Sequence, residues 1–145
     1  MTRAPLLLAL AACATAGTSD PALEEARARW TAQGWRHDYD VVVERQCFCP
    51  EEIRGPVRVV VRNDRVIERA YVSGGIVPPD RAQFFPPVDG MFAEIEAAIA
   101  DDVHRLDVEY DPESGVPRRF WIDRDDRMAD EETGLEIHGI EAMAP

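Results

Sequence analysis

Three cysteines, three histidines, three serines and no lysine bound the chemistry open to this 145-residue chain. Without lysine, Schiff-base and Ser–Lys chemistry are absent. Ser19, Ser73 and Ser114 lie outside any Gly-x-Ser-x-Gly turn, and His37, His104 and His138 are scattered, with no His-Glu-x-x-His. No catalytic constellation is therefore expected, and no cofactor. His104 reads instead as a favourable cation near a helix C-terminus. Cys47-Phe48-Cys49 is the most unusual local feature. On an extended strand the two side chains share a face roughly 6.7 Å apart, whereas a disulfide needs its Cβ atoms within ~4.5 Å. A bridge requires a kink, and Pro50 is compatible with one. If Cys13 is occupied elsewhere, each is the other's only intrachain partner, which favours pairing in an oxidising compartment. Two buried free thiols are the alternative. A redox or metal role is the third, though no nearby Cys or His completes a ligand spacing.

The run Asp123-Arg124-Asp125-Asp126-Arg127 with Asp130-Glu131-Glu132 raises the question of calcium. Read as an EF-hand loop from Asp123, it places Arg127 at the third ligand position, Met128 at the glycine position and Gly134 at the bidentate position. A solvated turn between two strands is expected, with some of its carboxylates pairing instead with Arg118 or Arg119, and no metal site. Arg54, Arg58, Arg62, Arg65 and Arg69 cluster in the first half. With Asn63-Asp64 as a hairpin turn, Arg58 faces Arg69 and Arg62 faces Arg65. Like charges so placed repel by some tenths of a kcal/mol, offset by Glu44 on the neighbouring strand or by an anionic partner. Ser73–Pro87 is a long segment without helix or strand pattern, and such segments are often functional. Its Phe84 and Phe85 are either a contact surface, together with Arg58 and Arg69, or a lid over the sheet. The lid is expected, because burying a phenylalanine is worth ~1.5–3 kcal/mol.

At the start of the chain, Arg3 and the apolar residues 4–12 form a short secretory leader, too short to span a bilayer. Leu10-Ala11-Ala12-Cys13 resembles the bacterial lipobox, which implies lipid on Cys13 after removal of residues 1–12. Acyl chains at ~0.8 kcal/mol per buried methylene anchor a domain without a spanning helix. Residues 13–19 are then the lipidated cysteine and a small-residue tether, and 20–145 a single domain. Ala14 after the cysteine implies, by the same resemblance, the outer membrane facing the periplasm in a diderm host. Composition agrees with an ordered domain, at 46% hydrophobic and 30% charged. The net charge of −12, from 16 basic against 28 acidic side chains, argues against nucleic acid as a partner.

The elements that must position these residues repeat. Asp20-Pro21 starts a helix carrying Leu23, Ala26 and Trp30, which Gly34 stops. Strands follow at Tyr39–Glu44, Val57–Arg62 and Arg65–Val72. Asp89 caps a second helix with Phe92, Ile95 and Ile99 on one face. Strands at Leu106–Tyr110 and around Phe120–Ile122 flank a Pro112–Gly115 turn, and Leu135–Ile140 is a weaker third. The pattern predicts an α+β fold: two helix-plus-three-strand units, about 20–72 and 88–145, forming an antiparallel sheet covered on one face by helices. Tyr39 and Tyr110 read as core residues whose hydroxyls reach the sheet edge.

Trp30, Asp38-Tyr39, Cys47-Phe48-Cys49-Pro50, Tyr110-Asp111-Pro112 with Gly115 and Pro117, Ile122-Asp123 and Asp130-Glu131 together resemble an uncharacterised bacterial exported and lipoprotein family, domain of unknown function 6174. The resemblance implies a cell-envelope location and no particular activity. The repeated layout is also similar in topology to small exported modules of peptidase propeptides and β-lactamase inhibitor proteins, which does not fix function. The expected function is a lipid-anchored, non-catalytic envelope domain that binds another protein or a small ligand. A thiol-redox protein or enzyme using Cys47 and Cys49, or a purely structural lipoprotein, are the alternatives.

Overall fold

The computed structural model of the chain describes residues 20–128 and 130–143. The leader, Cys13 and the tether lie outside the described residues. The element order is α1 (Pro21–Thr31), β1 (Tyr39–Cys47), α2 (Glu51–Arg54), β2 (Val57–Arg62), β3 (Arg65–Tyr71), a 3-10 turn (Pro79–Phe84), α3 (Val88–Ala100), β4 (Arg105–Tyr110), β5 (Pro117–Asp123) and β6 (Thr133–Ala142). The six strands form one antiparallel sheet in the order β3-β2-β1-β6-β5-β4. Among the described residues no helix is long and apolar enough to cross a membrane.

Local chemistry explains most boundaries. Asp20 Oδ1 accepts the Leu23 N–H at 3.0 Å, and Pro21 opens α1, which buries Leu23, Ala26 and Trp30. Asn63 and Asp64 both take left-handed φ values, 50° and 63°, as a type I′ hairpin turn between β2 and β3 requires. Asp89 does not cap α3: Pro87 holds the cap position, and Asp89 Oδ1 instead accepts the Trp30 indole N–H at 2.9 Å. The first N–H of α3, on Val88, is met by the Tyr39 hydroxyl at 3.0 Å. Tyr39 is thus a buried cap for a helix and does not reach the sheet edge; burial pushes its phenol well above the ordinary range.

The segment 73–87 is not without structure. Ile76 pairs with Ala70 beside β3, and Pro79–Phe84 makes a 3-10 turn. Residues 135–140, expected to be a weak strand, belong to the long central strand β6, which pairs with β1 on one side and β5 on the other. Its glycines and charges lower its intrinsic strand preference, but two flanking partners supply the pairing. The core lies on the sheet face that carries Tyr39, Val41, Val43, Val57, Val59, Phe120, Ile122 and Leu135, and includes Trp30, Phe85, Phe92 and Ile95.

Candidate functional site

The opposite face of β1, β6, β5 and β4 is open to solvent. Because paired residues in an antiparallel sheet share a face, the register builds two cross-strand rows there. One runs Gln46–Gly134–Trp121–Asp107 and the next Glu44–Glu136–Arg119–Glu109. Trp121 alternates with the buried Phe120 and Ile122, so its indole faces outward, 37% exposed. A Cβ on Gly134 would sit 2.7 Å from Trp121 Cε3 and 2.6 Å from the Phe120 carbonyl oxygen. Glycine at 134 therefore lets the indole lie across the sheet. Around it is a shallow groove of about 860 Å³. Arg119 pairs with Glu109 at 2.7 Å and Arg105 with Asp107 at 2.7 Å. Glu136 makes no ion pair, and Gln46 no side-chain hydrogen bond, among the described residues. The sequence carried the signal for this site in Trp121, an aromatic out of phase with two apolar neighbours.

Cys47 and Cys49 are at disulfide distance, with Cα atoms 5.3 Å apart, shorter than an extended strand allows. The strand ends at Cys47, the chain bends through Phe48, and α2 begins just after Pro50. Phe48 projects from this bend, 82% exposed. Glu94, Glu131 and Glu132 line the adjacent groove with Arg45 and Arg124. Arg45 was not foreseen as a site residue. It occupies the inward phase of β1 and is 6% exposed, its guanidinium gripping Glu94 at 2.7 and 2.8 Å and the Phe84 carbonyl oxygen at 3.1 and 2.9 Å.

The acidic run is engaged by its own loop. Glu131 Oε1 accepts the N–H groups of Arg124 and Asp125, each at 2.7 Å, and Asp125 pairs with Arg127. The expected partners Arg118 and Arg119 bond Asp111 and Glu109 instead. Among the described residues no three His, Cys, Asp or Glu side chains converge to hold a metal.

The arginine cluster is rearranged by a bulge between Val60 and Val61. Arg62 does face Arg65, but Arg58 faces Ala70 and Arg69 faces Val59, which turns Arg69 inward. Arg69 Nε donates to the Phe85 carbonyl oxygen at 2.7 Å. Asp40 takes the balancing role expected of Glu44, lying 3.3 Å from Arg58 and 2.8 Å from Arg62; Glu44 bonds His138. Phe85 is fully buried and Phe84 half-buried, so of the four residues offered as a contact surface only Arg58 stands out in solvent. A ring with no exposed surface has nothing to offer a partner, and the lid describes Phe85.

The Asp111–Gly115 turn between β4 and β5 is held by one carboxylate. Asp111 Oδ1 accepts from the N–H groups of Glu113 and Ser114 and from the Ser114 hydroxyl, and Oδ2 from Arg118. These bonds, the Ser114 N–H foremost, hold its carboxyl below the ordinary aspartate range. Its contribution to stability is therefore present above the unfolded aspartate value and lost as pH falls through the lower folded value. Asp111→Asn is expected to flatten the acid limb of a melting-temperature profile. A mutant whose acid limb parallels the parent's contradicts this.

No curated protein and no solved structure matches the chain. The model of a family of unknown function, DUF6174, matches residues 22–142, from the second residue of α1 to the end of β6, and the chain belongs to that family.

Proposed function

We propose that this protein is a lipid-anchored, non-catalytic binding protein of the bacterial cell envelope, tethered through acylated Cys13 and presenting the open sheet face around Trp121 to its ligand. The observation that carries the binding reading is an exposed indole laid across Gly134 within a groove of polar side chains. The leader and the Leu10–Cys13 segment support export and the anchor, and a bonded cysteine pair suits an oxidising compartment. The sheet order supports two duplicated units, since β6-β5-β4 follows β3-β2-β1 in the same sense. We infer that α1 and α3 together cover the inner face, where Trp30 meets Tyr39 and Phe92 stacks on Tyr110.

The full chain made in a bacterium is expected to begin at Cys13, to carry acyl mass and to fractionate with membranes. Cys13→Ala should be released into the soluble fraction. An unlipidated chain beginning at a later residue overturns the anchor. Envelope components that co-purify with the full chain should be lost on Trp121→Ala, with the variant still folded and melting cooperatively. An identical set from both proteins overturns the binding face.

A second reading, thiol–disulfide exchange at Cys47 and Cys49, draws on the exposed Phe48 beside the bonded pair. Of the groups lining that groove, Arg45 is spent on Glu94, and the carboxylates of Glu131 and Glu132 oppose a stabilised thiolate, which such chemistry needs.

A further inference from the structure

We propose that the face around Trp121 binds a neutral glycan segment, a sugar ring stacking on the indole while its hydroxyls meet the planar polar groups on either side. This inference rests on the binding reading of the same face and adds the chemical class of the ligand.

Three properties of the face select that class. The indole packs over Gly134, with Cε3 against the place a Cβ would take, and keeps 37% of its surface in solvent for a ligand to stack on. The electron-rich face of an aromatic ring attracts groups of positive polarity, and the C–H-bearing face of a pyranose is both apolar and weakly positive. The flanking groups then decide between ligands that stack. Gln46 and Asp107 lie in the same cross-strand row as Trp121, and Arg119 and Glu136 in the next. Carboxylates, an amide and a guanidinium offer paired acceptors and donors to neighbouring hydroxyls. An apolar peptide would strip water from these groups without replacing its hydrogen bonds, which costs free energy for each group left unpaired.

Charge supplies the third argument. Both arginines of the groove are already paired with carboxylates of the same face, and Glu136 is left over. Among the described residues the groove offers an anionic polymer no unpaired cation, so single-stranded nucleic acid, the other common ligand of exposed aromatics, is disfavoured. A ligand without charge, rich in hydroxyls and with one apolar face, meets all three conditions. From Gln46 to Asp107 the row crosses three interstrand spacings, ~14 Å, long enough for more than one sugar ring.

The test uses the full lipidated chain in a detergent without a sugar headgroup. Chitohexaose, cellohexaose and maltohexaose are titrated while tryptophan fluorescence and binding heat are followed. At least one neutral hexamer is expected to bind saturably and to change the emission of Trp121. Trp121→Ala should weaken it by about tenfold or more, and Trp121→Phe should recover part of the loss, both variants still melting cooperatively above the assay temperature. Hexamer binding untouched by Trp121→Ala overturns the proposal, as does preferential binding of an oligothymidylate. If no hexamer binds but Trp121→Ala still loses an envelope protein, the glycan class is wrong and the binding face stands. If neither changes, both readings fall.

Discussion

Replacing Phe84 and Phe85 together by alanine is expected to destabilise the domain by several kcal/mol, with Phe85 alone accounting for about 3–5 kcal/mol. Phe85 is 0% exposed and meets Tyr71 edge-to-face, ring centroids 6.1 Å apart. Truncation removes its dispersion contacts and leaves a cavity bounded by backbone that cannot collapse freely. The Phe85 carbonyl oxygen is held by Arg69 and the Phe84 carbonyl oxygen by Arg45, so the main chain stays in place around the void. Domains of this kind have ~5–15 kcal/mol in total, so the double variant should sit close to its unfolding threshold. Urea unfolding should show a lower midpoint with the slope retained. A change within about 0.5 kcal/mol, the usual range for surface positions, would contradict the lid.

The elements with a local cause were legible in the residues. Asp20-Pro21 starts α1, Asn63-Asp64 turns β2 into β3, and Tyr39, Val41 and Val43, alternating with Asp40, Val42 and Glu44, mark β1. What escaped is what depends on partners distant in sequence. The bulge at Val60/Val61 inserts one residue into β3, which exchanges the faces of Arg69 and Ala70, and no spacing within the hairpin announces it. Residues 135–140 look weak alone because His138 and Gly139 interrupt them, yet they belong to β6, which with β1 forms the centre of the sheet. Gly134 is there for Trp121, a neighbour on another strand. The candidate site shares this character. Cys47 and Cys49 were visible as a pair, whereas the platform appears only once β5, β6 and β1 lie side by side.

Arg45→Ala is expected to destabilise the domain by about 3–5 kcal/mol, because removing one member of a buried charged pair leaves the rest uncompensated. Arg45 continues the inward phase of Tyr39, Val41 and Val43, a position where an apolar side chain would ordinarily sit. Its guanidinium joins three elements: β1 by the chain, α3 through both oxygens of Glu94, and the end of the 3-10 turn through the Phe84 carbonyl. Without it, that carbonyl loses its donors and Glu94 loses its counter-charge, although Glu94 is 30% exposed and recovers some water. The decisive comparison is with a variant that removes both charges. Arg45→Met keeps the length and apolar stem but leaves Glu94 unmatched, so it should remain destabilised. Arg45→Met with Glu94→Leu replaces the pair by apolar volume, and such replacements are often neutral or stabilising. The double variant should therefore recover most of what Arg45→Met loses, a coupling of about 0.5–3 kcal/mol that a double-mutant cycle reads directly. The Phe84 carbonyl stays without its donor in both, which sets the part not recovered. Additive losses in the cycle would mean that Glu94 is no partner of Arg45 in solution. The middle of α3 would then be held to β1 by apolar packing alone.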